Sequence, residues 1–92
     1  MLSQIKSVAD VEQFAKLLVD EGSNFHPDDD FTEYVNYKTG EPTYTPEEAA
    51  HRNSLMEQCF EVCEKEEQDI YAVMHRVFLV ETGWDKYIPL PA

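Results

Sequence analysis

The sequence predicts a mainly α-helical domain that carries one small β-hairpin, an α+β arrangement with three helices. Apolar residues recur at helical spacing in three stretches, near residues 8–21, 46–64 and 68–81. Near residues 31–45 the helical period disappears, and a glycine, a proline and alternating aromatic residues are typical of a hairpin. A chain of 92 residues, 42% of them hydrophobic, seldom holds two cores. We therefore expect residues 1–92 to form a single small acidic domain.

The first helix is predicted to begin after Ser7, because the tetrapeptide from Ser7 to Asp10 has the form of a capping box. Its apolar residues repeat every three or four positions as far as Gly22, where the helix is expected to end. These residues are Val8, Val11, Phe14, Ala15 and Leu18. Such spacing places them on one helical face that packs against the rest of the domain.

The hairpin is predicted from a strict alternation of side chains. One side of the first strand would carry Phe31, Glu33, Val35 and Tyr37. The segment from Lys38 to Glu41 resembles a hairpin loop, and Pro42 restricts the second strand to a sheet edge because it lacks an amide hydrogen. An isolated hairpin is marginally stable in water, so we expect its aromatic residues to pack on the helices.

The start of the second helix is the strongest local pattern in the chain. Thr45 is suited to the N-cap, Pro46 to the first helical position and Glu48 to the third. The sequence therefore predicts a helix that begins at residue 46.

Residues 64–69 contain no apolar side chain, so residues 46–81 form either one long helix or two. A seven-residue register runs from Met56 to Val77 with only Glu67 out of place, which permits a continuous helix. Typical helices of roughly 8 to 20 residues favour two, joined near residues 65–67. The apolar seam from Met56 to Val77 also makes a homo-oligomer possible.

An apolar tail with two prolines follows Gly83, where the third helix is expected to end. Trp84, Tyr87 and Ile88 either seal the small core or contact a partner. The sequence leaves both alternatives open.

Charge limits the possible partners. Nineteen acidic residues against seven Lys and Arg give a net charge of −12, which repels nucleic acid and anionic membranes. No stretch approaches the roughly 20 apolar residues of a membrane span, and the amino end lacks the pattern of a signal peptide. We expect a cytoplasmic protein, in which Cys59 and Cys63, four apart on one helix, stay as free thiols.

No motif indicates catalysis. The chain lacks a glycine-rich phosphate loop, a nucleophile elbow and a dinucleotide fingerprint. Cys59 and Cys63 have no second ligand pair for zinc, and His26 with the acidic run after Pro27 lacks the ligand spacing of a calcium loop. We expect no enzyme activity, no catalytic residues, no cofactor and no metal.

The predicted function is a protein–protein interaction module that docks through an acidic helical surface and an aromatic patch. The candidate acidic residues are Glu57, Glu61 and Glu64 on the second helix and Asp28, Asp29 and Asp30 in the preceding loop. The candidate aromatic residues are Tyr34, Tyr37 and Trp84, with Tyr44 and Tyr87 as further choices. A simple solvated face also explains the carboxylates, because exposed helices commonly carry Glu.

The alternative function is a DNA mimic that inhibits a basic nucleic-acid-binding protein. Glu57 and Glu61 rise about 6 Å relative to each other along a helix, close to the spacing of successive phosphates. In this alternative Glu57, Glu61, Glu64 and the loop of residues 28–30 occupy the basic groove of the partner, and mimicry predicts a continuous double row of carboxylates with few cations between them. An ordinary interaction module predicts cations interspersed with the carboxylates, and the candidates are Lys16, Arg52, Lys65 and Arg76.

Overall fold

The computed structural model describes residues 3–22 and 25–83, which form three α-helices and one short 3-10 turn. Helix α1 spans Val8–Asp20, the 3-10 turn Phe31–Glu33, α2 Pro46–Lys65 and α3 Ile70–Thr82. Helix α3 packs mainly against α1, and the 3-10 turn packs against α2. The mainly helical prediction is confirmed, and none of the described helices is long and apolar enough to cross a membrane.

Side-chain caps fix where the helices begin. The Thr45 hydroxyl accepts from the Glu48 amide at 3.1 Å, and the Glu48 carboxylate accepts from the Thr45 amide at 2.9 Å. This reciprocal capping box satisfies amide groups that have no partner inside the helix. At α1 the Ser7 hydroxyl accepts from the Asp10 amide at 3.3 Å, whereas the Asp10 carboxylate accepts from the Lys6 amide at 2.9 Å, so the predicted capping box is only half formed.

Two helices, not one, occupy residues 46–82, as helix length predicted. The amide of Glu67 donates to the Glu64 carbonyl at 3.2 Å, and the amide of Gln68 donates to the Cys63 carbonyl at 2.8 Å. This pair of bonds is a Schellman motif, which requires a left-handed residue after the helix. Glu67 takes that role with φ 56°, and Asp69 then caps α3.

The predicted β-hairpin is wrong. Within the described residues no strand forms, and the region near residues 31–45 contains only an isolated bridge between Val35 and Pro42. The Asp30 carboxylate accepts from the Thr32 amide at 2.9 Å and from its hydroxyl at 2.7 Å. These local bonds stabilise a 3-10 turn where the first strand was expected. The Tyr34 amide donates to the Phe31 carbonyl at 3.3 Å inside this turn, so it does not extend the pairing beyond the single bridge.

The buried side chains of the described residues form one hydrophobic cluster that all three helices share. Its largest fully buried members are Phe14, Phe31, Leu18, Leu55, Met74, Val11, Cys59 and Cys63. Of the apolar face predicted for the first helix, four residues are buried as expected and Val8 is half-buried. The 3-10 turn contributes Phe31, whose ring meets that of Tyr34 at a centroid distance of 5.0 Å.

Arg52 is the buried charged residue of the described chain. Its Nε donates to the Glu21 carboxylate at 3.2 Å, and a terminal nitrogen makes a further ion pair with the same carboxylate. Its other terminal nitrogen donates to the Glu48 carbonyl at 3.1 Å, and the guanidinium lies 4.2 Å from the Tyr44 ring centroid. Burial by itself lowers the pKa of Arg52, but Glu21 together with Tyr44 and Glu48 raises the pKa above its ordinary value, so the guanidinium stays charged.

Candidate functional site

The acidic stripe consists of Glu57, Glu61 and Glu64 on the outer side of α2. All three side chains are exposed, and none of them makes an ion pair with a described residue. Lys65 lies four residues after Glu61, yet no ion pair joins them. Three carboxylates over two helical turns without a paired cation repel one another, which leaves a local negative field on this side of the domain.

Two of the four cations that were candidates for neutralising this stripe, Arg52 and Arg76, contact another element. Arg52 is held inside by Glu21, beyond the end of α1. Arg76 of α3 approaches Glu12 of α1, with 4.0 Å between nitrogen and oxygen. The fold therefore directs both arginines toward α1 and its C-terminus.

The acidic loop of residues 28–30 differs from the stripe because each carboxylate accepts hydrogen bonds inside the molecule. Asp28 accepts from the Tyr71 hydroxyl at 2.8 Å. Asp29 accepts from the Tyr34 hydroxyl at 2.7 Å and from the His26 amide at 3.1 Å. These bonds pin the loop to α3 and to the residue that follows the 3-10 turn.

Asp30 connects the loop to α2. Its carboxylate accepts from the Asn53 side-chain amide at 2.9 Å, and the Asn53 carbonyl oxygen accepts from the Phe31 amide at 3.0 Å. The hydrogen bonds from Thr32 and Asn53 hold the pKa of Asp30 below its ordinary value. The loop therefore has a structural role, since Asp30 caps the 3-10 turn that begins at Phe31 and joins it to α2.

The aromatic candidates occupy different environments. Tyr34 is half-buried between Phe31 and Tyr44, and burial together with its bond to Asp29 raises its pKa. Tyr37 is 98% exposed at the turn of the loop. Tyr44 lies in the core. Trp84 and Tyr87 lie outside the described residues, as does the tail whose packing the sequence left open.

Most side chains of the seam expected to mediate self-association are buried within the domain. Met56, Ile70 and Met74 are 2–5% exposed. Only Phe60 and Val77 remain partly accessible along it. A homo-oligomer through this seam stays a prediction, with few side chains left to form its contact.

The fold also creates an apolar groove that the sequence did not predict. We name it the α3 groove; it lies between residues 25–27 and one face of α3 and has a volume of about 590 Å³. Its walls are Phe25, His26, Pro27, Asp69, Tyr71, Ala72, Met74, His75 and Phe78. The spacing of Tyr71, Met74, His75 and Phe78 is helical, but nothing in it shows which face a loop from residues 25–27 will cover.

One aromatic contact joins the α3 groove to the acidic stripe. The rings of Phe60 and Tyr71 meet edge to face with centroids 6.1 Å apart. Phe60 lies between Glu57 and Glu64 along α2, and Tyr71, 44% exposed, forms a wall of the groove. Carboxylates and an apolar groove are thus parts of one continuous surface.

The cysteines lie in the core as free thiols. Burial raises the pKa of Cys59 to about 12, and the neighbouring Cys63 adds to this effect. Among the described residues, no three His, Cys, Asp or Glu side chains are placed to hold a metal ion.

Searches of protein-family models, curated proteins and solved structures find no match for this chain. Its function must therefore be inferred from its own surface.

Proposed function

We propose that this chain is a non-enzymatic interaction module that binds a basic protein surface in the cytoplasm through the acidic stripe. The observation that supports this proposal is the pairing of charges. Arg52 and Arg76 are directed toward acidic residues at α1, whereas the stripe keeps three exposed carboxylates without a described counterion. No cofactor or metal takes part.

A basic partner would relieve the repulsion within the stripe. Like charges four residues apart on a helix cost a few tenths of a kcal/mol each, and a docked Lys or Arg reverses the sign of that energy. The net charge of −12 also accelerates the encounter with a cationic protein. The same charge disfavours direct binding to nucleic acid or to an anionic membrane.

The test compares partner capture by the wild-type chain with capture by a variant in which Glu57, Glu61 and Glu64 are changed to Gln. We expect the wild type to retain a basic protein from an extract of the native organism, in a salt-dependent manner. The triple variant should lose it, because Gln keeps the size of the side chain and removes its charge.

A second triple variant, Asp20→Asn with Glu33→Gln and Glu41→Gln, is the matched control. It removes the same number of charges from exposed positions on other elements. Equal loss of the partner in both variants would mean that net charge alone drives binding. Equal retention in both would rule out the stripe as the binding surface.

A DNA mimic is the second candidate, and the lack of a paired cation along the stripe supports it. The exposed run from Glu57 to Glu64 supplies one row of charge with phosphate-like spacing of about 6 Å. The carboxylates of residues 28–30 contribute less, since they already accept internal hydrogen bonds. Mimicry requires that the captured partner binds DNA and that added DNA displaces it from the chain.

A further inference from the structure

We infer that the α3 groove is the docking site for an amphipathic helix of the partner, with apolar anchors in the groove and Lys or Arg residues toward the acidic stripe. This inference rests on the proposed function and names the chemistry of the partner segment. Three features carry it: the shape of the groove, its rigid wall and the charges around it.

The length of the groove suits a short helix. Its α3 wall runs from Asp69 to Phe78, which corresponds to about 14 Å of helix. Anchors at positions i, i+4 and i+7 of a partner helix span about 10 Å. The wall is open to solvent along this distance, since Tyr71, Ala72 and His75 are all exposed.

The opposite wall is already held in place. The Tyr71 hydroxyl donates to Asp28 at 2.8 Å, and the Asp29 amide donates to the His26 carbonyl at 2.9 Å. The ring of His26 lies 5.7 Å from that of Tyr71, measured between centroids. Because the walls of the groove are already ordered before binding, no binding free energy is lost in ordering them.

The charges select a basic occupant. Among the described residues that line the groove there is no Lys or Arg, whereas Asp69 is one of them. Across the contact between Phe60 and Tyr71 lies the acidic stripe. A second copy of this chain, with its charge of −12, would bring carboxylates against carboxylates, so a cationic helix fits better than self-association.

The test uses a fluorescent synthetic peptide of about three helical turns, with Leu at the anchor positions and Lys at the others. A scrambled peptide of the same composition is the control probe.

The variant Ala72→Glu projects a longer side chain into the groove and adds a negative charge. Glu is well tolerated at this exposed position in the first turn of α3. Ala9→Glu, in the first turn of α1, is the matched control variant.

Fluorescence anisotropy should show that Ala72→Glu weakens binding of the amphipathic peptide about tenfold, while Ala9→Glu leaves it unchanged. The added carboxylate attracts the Lys-rich peptide, so a loss of affinity in Ala72→Glu would show that the apolar anchors of the peptide bind in the groove. Amide resonances of Tyr71, His75 and Phe78 should shift when the peptide is added to the labelled wild type.

Equal binding by Ala72→Glu and Ala9→Glu would overturn the groove inference. If, in that case, the triple Gln variant of the stripe binds the peptide more weakly than the wild type does, the proposed function stands without the groove. If Ala72→Glu alone loses it, the groove stands and the stripe fails. A wild type that binds neither peptide, or both equally, also overturns the inference.

Discussion

Replacing Glu21 by Gln tests whether the buried ion pair with Arg52 stabilises the packing of α1 on α2. The substitution keeps the shape of the side chain and removes the charge that compensates the guanidinium. Arg52 then keeps its bond to the Glu48 carbonyl and its contact with the Tyr44 ring. Its positive charge, however, has lost its direct carboxylate partner.

The magnitude follows from the exposure of the two partners. The Arg52 side chain is 6% exposed and the Glu21 side chain 29%. Breaking a fully buried pair costs about 3–5 kcal/mol, but solvent at Glu21 screens part of the attraction and the Gln oxygen still accepts one bond. We expect the free energy of unfolding to fall by about 2 kcal/mol, which lowers Tm by roughly 10 °C in a domain of this size.

Urea unfolding followed by circular dichroism measures this change, with Glu12→Gln as the matched control on α1. Glu12 and Arg76 are 47% and 67% exposed at a distance of 4.0 Å, so their pair should contribute less than about 0.5 kcal/mol. If Glu21→Gln costs no more than Glu12→Gln, the pair does not stabilise the fold and the reasoning is refuted.

Three further predictions concern the helix ends and the core. Glu67→Gly should raise the unfolding free energy by about 1 kcal/mol in the same assay, because glycine adopts φ 56° without steric cost; Glu66→Gly should not, since its φ is −90°. Cys59 should resist alkylation at neutral pH until denaturant unfolds the domain, as mass spectrometry will show, because burial raises its pKa to about 12. Hydrogen bonds with Thr45 hold the pKa of Glu48 below its ordinary value, so the stabilising effect of the Glu48 carboxylate is fully present above that ordinary value and is lost as the pH falls through the lowered one. The urea midpoint of Glu48→Gln should therefore change less between neutral and acidic pH than the midpoint of the wild type does.

Each of these predictions has a contradicting result. Equal destabilisation by both glycine variants would mean that the left-handed turn stores no strain. Alkylation of Cys59 in the native protein at the rate of a free thiol would contradict its burial. If the urea midpoint of Glu48→Gln falls with pH as it does in the wild type, other carboxylates are responsible for the loss of stability in acid.

The candidate site could be predicted only in part from the sequence. The positions of Glu57, Glu61 and Glu64 on one exposed side of α2 follow from helical spacing alone. The hydrogen bonds that Asp28 and Asp29 accept from Tyr71 and Tyr34 do not, because helical or strand spacing does not show which side chains will meet this loop. The α3 groove needs a loop to lie beside a helix face, which no local pattern records.

The sequence by itself determined the three helices, since caps such as Thr45 with Glu48 and periodic apolar residues act over a few positions. It also determined the acidic character of the chain. Only the tertiary structure decided that residues 31–33 wind into a 3-10 turn. The local hydrogen bond that Thr32 donates to Asp30 competes there with strand pairing, and the bond that Asn53 of α2 donates to the same carboxylate favours the turn. It likewise decided that Arg52 pairs with Glu21 and leaves the acidic stripe without it, because side chains far apart in sequence meet only once the helices have packed.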